Sequence, residues 1–115
     1  MLSKVEIKLS REVSNMYNKL GKISKNSKNS FELKLFNSIN KALDKLKNDP
    51  LCGKHISKKQ IPRKLFRIWQ IKNLWKYDLV KGWRILYTLD NMEVKIEMII
   101  LSCTDHKDYN RLMKY

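Results

Sequence analysis

Acidic side chains are scarce in this chain: 11 Asp and Glu stand against 25 Lys and Arg in 115 residues, a formal net charge of +14. That excess goes well beyond what solubility requires and favours a polyanionic partner, nucleic acid first and an anionic membrane second. Cysteine is nearly absent, and Cys52 and Cys103 alone exclude a disulfide framework. The longest uninterrupted apolar run, Met98 to Leu101, is far too short to cross a bilayer, and the charged start MLSKVEIKLS lacks the apolar segment of a signal peptide. A cytoplasmic protein with no membrane partner is therefore expected, with both cysteines kept as thiols. The length suits one domain over 1–115 with a modest core.

What is present is unevenly placed. Residues 1–49 carry 11 basic and 5 acidic side chains, residues 50–89 carry 10 and 1, and residues 90–115 carry 4 and 5. The middle third is the electrostatic footprint. It also holds Phe66, Trp69, Trp75, Tyr77, Trp83 and Tyr87, and basic groups interleaved with aromatics can offer phosphate contacts and stacking surfaces. Most of these aromatics alternate with polar residues, as core positions of strands do.

In KVEIKLS, Val5, Ile7 and Leu9 alternate with Lys4, Glu6 and Lys8, the period of a strand with one wet face. From Ser10 the spacing becomes helical through Val13, Met16, Tyr17 and Leu20, with a stop expected at Gly21. A polar KISKNSKNS connection follows. A second helix is predicted from near Asn29, capped with Glu32 in a capping box, with a stripe of Leu35, Phe36, Ile39, Leu43 and Leu46 and an end at Asn48-Asp49-Pro50. Residues 51–72 read as a long basic loop with a short helix around Lys64 to Gln70. Strands resume at Leu74: Trp75, Tyr77 and Leu79 share one face, as do Trp83, Ile85, Tyr87 and Leu89. Val80-Lys81-Gly82 suits a hairpin loop with Gly82 left-handed, pairing Asp78 with Arg84. A third strand is predicted from about Glu93 to Cys103, then a helical turn from His106. The expected fold is α+β: a small antiparallel or mixed sheet with an N-terminal strand, two helices on one face, a three-stranded C-terminal meander and a short C-terminal helix.

In that register Arg84 and Lys76 project from the face opposite the aromatic core, with Asp78 between them, as a two-cation platform suited to gripping a phosphate. The alternative is a cross-strand ion pair of Arg84 with Asp78 that only fixes the register. His106 can exchange a proton near neutrality, and Tyr109 can when its environment is tuned; Tyr115 follows at the terminus. Lys54, Lys58, Lys59, Arg63, Lys64 and Arg67 read as backbone contacts for RNA or DNA. Cys52-Gly-Lys-His55 and Cys103-Thr-Asp-His106 would supply four zinc ligands, but zinc fingers pair Cys with Cys and His with His, so neither a metal nor another cofactor is expected.

The segments P-L-C-G-K-H-I at 50–56, N-L-W-K-Y-D-L at 73–79, G-W-R-I-L-Y-T-L at 82–89 and D-H-K-D-Y-N-R-L at 105–112 resemble the RelE/ParE superfamily of toxins from type II toxin–antitoxin systems. The resemblance implies an endoribonuclease (an mRNA interferase) that cleaves mRNA on the ribosome through the ribose 2′-hydroxyl, without a metal. It also implies a cognate antitoxin in a hetero-oligomer. On that likeness Arg84 neutralises the scissile phosphate, Lys76 assists it, and His106 and Tyr109 transfer protons or stack on the cleaved nucleotide. Asp78 departs from members that carry a second basic residue there. The ParE-like branch shares the fold and inhibits DNA gyrase, so fold alone does not set the activity; a non-catalytic nucleic-acid-binding module is the third alternative.

Overall fold

A five-stranded mixed sheet organises the chain, and it separates two cores of different construction. The computed structural model describes residues 4–26, 30–92 and 94–114. Strand β1 (Lys4–Leu9) leads into helices α1 (Arg11–Lys25) and α2 (Phe31–Asn48). Then come a short strand β2 (Lys54–Ile56), helix α3 (Arg63–Trp69), strands β3 (Leu74–Asp78), β4 (Arg84–Asn91) and β5 (Lys95–Thr104), and helix α4 (His106–Met113). The spatial order is β1-β5-β4-β3-β2, with β1 parallel to β5 and every other pair antiparallel. The expected α+β architecture, with its N-terminal strand, paired helices, meander and closing helix, is the one observed. No helix among the described residues is long and apolar enough to cross a membrane.

The first core lies between α1, α2 and one sheet face. Val13 and Leu20 of α1 and Leu35, Ile39, Ala42 and Leu46 of α2 meet Ile85, Tyr87, Met98 and Ile100, as the helical and strand periods require. Both helices start on a serine. Ser10 Oγ accepts from Val13 N at 3.2 Å and donates to Leu101 O at 3.1 Å, so one side chain caps α1 and ties it to β5. Ser30 Oγ accepts from Leu33 N at 3.1 Å and caps α2; Asn29, the expected cap, lies outside the described residues. With Ser30 as cap, Glu32 sits in the second helical position rather than the third, and the capping box does not form.

Two further expectations are corrected. Helix α1 does not stop at Gly21 but runs to Lys25: a helical glycine costs only about 1 kcal/mol, and Lys22 and Lys25 favour the negative end of the helix dipole. Residues 51–72 are not a loop with one helix. They contain β2, a 3₁₀ turn at Lys58–Gln60 and α3, which spans Arg63–Trp69. The sheet face opposite α1 and α2 is also covered. Leu74, Leu86 and Leu101 on that face join Ile56, Ile61, Leu65 and Ile71 in a second buried cluster, which Phe66 and Trp69 of α3 and Tyr109, Leu112 and Met113 of α4 complete. Strand β5 accommodates it with an irregularity. The register jumps from Leu86↔Ser102 to Tyr87↔Ile100, leaving Leu101 as the extra residue beside Leu86 in the second cluster. The third strand, expected from Glu93, is observed from Lys95 to Thr104; Glu93 and Tyr115 are outside the described residues.

Candidate functional site

The second face is divided: its centre is apolar, and its end at the β3–β4 hairpin is charged. The hairpin places the charges. Asp78 pairs with Arg84, and Leu79 N donates to Trp83 O at 2.7 Å across the turn. Gly82 adopts φ +78°, a left-handed conformation natural to glycine, and Lys81 joins it at φ 54°. A Cβ on Gly82 would also stand 3.4 Å from the Cβ of His106, so the turn packs directly on the start of α4. Period-two alternation then sets Lys76, Asp78 and Arg84 on one side of the sheet.

Strand β5 supplies the rest. Thr104 pairs with Arg84 and the chain passes at once into α4, whose cap Asp105 accepts from Asp108 N at 2.8 Å through Oδ1. His106 is therefore the first helical residue, beside Arg84, and Tyr109 follows one turn on. The guanidinium makes three contacts. Nε is 3.3 Å from Asp78 Oδ1, Nη1 is 2.8 Å from His106 Nδ1, and Cζ lies 4.6 Å from the centre of the Tyr109 ring. Lys76 Nζ is 3.7 Å from the same Asp78 oxygen and 5.9 Å from the same ring. The Arg84 and Lys76 side chains are each 19% exposed, whereas Asp78 is 67% exposed and reaches in from the rim.

Both ring nitrogens of His106 are engaged: Nδ1 faces the Arg84 guanidinium, which can only donate, and Nε2 lies 3.0 Å from Asn110 Nδ2, with the donor and acceptor roles following the tautomer. Burial pushes the Tyr109 phenol above its usual value; Arg84 opposes the shift and Asp78 adds to it. The phenol thus holds its proton at neutral pH and acts there as a donor.

The four residues expected to do chemistry, Arg84, Lys76, His106 and Tyr109, converge from three elements. The six expected to hold nucleic acid divide. Lys54 sits opposite Lys76 in the β2–β3 register, and both line a hollow of about 350 Å³ with Gln60, Tyr109 and Met113. Lys58, Lys59, Arg63 and Lys64 line a second groove of about 820 Å³, with Phe66 and Lys114. Arg67 is exposed on α3 and lines neither. No family model matches the sequence, and no match was found among curated proteins or solved structures. The chemistry of the site therefore carries the functional argument.

The two Cys-x-x-His pairs do not converge: Cys52 is exposed and Cys103 buried, His55 packs on Trp75 with ring centres 4.8 Å apart, and His106 belongs to Arg84. Among the described residues no group of three or more His, Cys, Asp or Glu is placed to hold a metal. Sequence reasoning missed Asn110 and Gln60. Asn110 had a usable signal, because a residue four positions after His106 on a helix shares its face. Gln60 had none, since its position depends on the 3₁₀ turn after β2.

Proposed function

We propose that this protein is a metal-independent endoribonuclease that cleaves RNA through its own 2′-hydroxyl, acting as the toxin of a type II toxin–antitoxin pair on ribosome-bound mRNA. The observation that carries the reading is the convergence of two partly buried cations, an imidazole and a protonated phenol on one surface beside a basic hollow. The opposition of Lys54 and Lys76 adds to it: like charges directly across a strand pair destabilise a sheet, and an anion between them removes that cost.

In this mechanism the scissile phosphate lies against Arg84 and Lys76, which balance the charge that grows on its non-bridging oxygens. The 2′-oxygen loses its proton and attacks phosphorus, the bond from phosphorus to the 5′-oxygen breaks, and that oxygen gains a proton. The products are a 2′,3′-cyclic phosphate and a 5′-hydroxyl. His106 takes the 2′-proton at Nδ1 once substrate draws Arg84 from that nitrogen. Tyr109, held protonated by burial, donates toward the leaving oxygen or supports a base against its ring. Asn110 is a positioning residue that fixes the imidazole plane.

The test is cleavage of a defined message on ribosomes by wild type and Arg84→Ala. Loss of one transition-state donor lowers the rate about a hundredfold or more. Equal cleavage by the variant would overturn the mechanism. Stalled gyrase with intact RNA would place the protein with the ParE-like branch, and salt-sensitive RNA binding without cleavage would make it a binding module.

A further inference from the structure

Asp78 is the sole acidic residue among residues 50–89, a segment with ten cations, and it sits between the two cations that define the site. One of its carboxylate oxygens lies 3.3 Å from Arg84 Nε and 3.7 Å from Lys76 Nζ, where a phosphate oxygen would bind. We infer that Asp78 is a resident competitor for the anion site, which keeps the affinity for a lone phosphate low and reserves Arg84 and Lys76 for a strand that brings several phosphates.

The inference rests on the reading of Arg84 and Lys76 as a phosphate site and concerns its selectivity. A single phosphate entering there exchanges one anion for another, so the gain is the difference between two similar contacts. A strand has further anchors. Beyond the site the hollow presents Lys54, and across the 3₁₀ turn at Lys58–Gln60 the larger groove presents Lys58, Arg63 and Lys64. None of those cations lies in an ion pair with a carboxylate among the described residues. Phosphates bound along that path hold the strand and deliver one more to Arg84 at high effective concentration, enough to displace the carboxylate. Asp78 suits this role because it is wet at 67% exposure, whereas the cations it holds are largely covered. A carboxylate serving only to fix the register would need no second cation.

The experiment is titration of the full chain with inorganic phosphate, followed by NMR at Arg84 Nε, for wild type, Asp78→Asn and Asp78→Ser, beside thermal unfolding. Both variants should bind phosphate about two- to fivefold more tightly, the range that release of an exposed ion pair gives. In wild type, saturating phosphate should also move the Asp78 carboxyl carbon signal together with the Arg84 signal. Unchanged or weaker phosphate binding in both variants overturns the proposal, as does an Arg84 response in wild type with a static Asp78 signal. A lower melting temperature without tighter phosphate binding assigns Asp78 to the register alone and equally overturns it. Because phosphate binding is read without RNA, a protein that fails to cleave RNA refutes the nuclease and leaves this result to stand on its own.

Discussion

Replacing Gly53 by alanine tests how the short strand β2 is held beside the site. Gly53 N donates to Tyr87 Oη at 3.2 Å, and the same hydroxyl donates to Pro50 O at 2.9 Å, so one phenol rooted in the first core clamps the chain just before Lys54. A Cβ on Gly53 would collide with Tyr87 Oη and stand 2.7 Å from the backbone oxygen of Lys76. Neither can retreat cheaply, because Tyr87 is fully buried and Lys76 O belongs to β3. Overpacking of this kind costs about 1–3 kcal/mol, and the lost hydrogen bond about 1 kcal/mol more. Urea unfolding of Gly53→Ala should therefore show a loss of roughly 2–4 kcal/mol. Tyr87→Phe alone should lose about 1–2 kcal/mol by leaving the loop unpinned. Together they should cost less than their sum, since removing the hydroxyl removes one of the two collisions. Lys54 would move away from Lys76, and phosphate binding would weaken in Gly53→Ala. A Gly53→Ala protein within about 0.5 kcal/mol of wild type, with no coupling to Tyr87→Phe, would refute the clamp.

Leu86→Lys tests the second core. On an open platform a lysine beside Arg84 would be tolerated, but Leu86 is 1% exposed and packed in the second cluster, so the variant should lose more than about 3 kcal/mol or fail to fold; a change below 1 kcal/mol would contradict the two-core description. Alkaline pH tests the first core. Burial pushes the Cys103 thiol from 9.0 up to about 12, so the unfolded chain releases a proton in that window while the native state keeps it. Stability contributed by the neutral thiol is thus complete below pH 9 and falls by about 1.4 kcal/mol per pH unit as pH rises toward 12. Tyr87 and Tyr109, also raised by burial, add slopes of the same sign above pH 10. Under reducing conditions Cys103→Ala should show a shallower decline between pH 9 and 11 than wild type; identical slopes would refute this assignment.

Much of the site was legible because strand alternation and a short hairpin leave little freedom. Once Val80-Lys81-Gly82 forms the turn, Asp78 must face Arg84, and Lys76 follows two residues away on the same side. The helical stripe from Leu35 to Leu46 fixed the first core in the same way. What alternation could not show was which sheet face stays wet. Leu86 lies between Arg84 and Thr88 in sequence, and its burial depends on α3 and α4 arriving from distant parts of the chain. Strand β2 was hidden for a related reason: Lys54-His55-Ile56 offers one buried side chain in three and no apolar period, and the Tyr87 clamp and pairing with β3 hold it in place. His106 was visible as a residue type, but its contact with Arg84 comes from β5 ending opposite β4 and turning at once into α4.

The central claim is that the Arg84 site breaks RNA by attack of the adjacent 2′-oxygen. Its most direct test is to map the ends left on a ribosome-bound message that carries a single 2′-deoxy substitution at the mapped cleavage position. The account predicts a 2′,3′-cyclic phosphate and a 5′-hydroxyl on the unmodified message, no cleavage at the substituted position, and loss of both products with Arg84→Ala. Cleavage that persists at the deoxy position, or that leaves a 5′-phosphate, would contradict it.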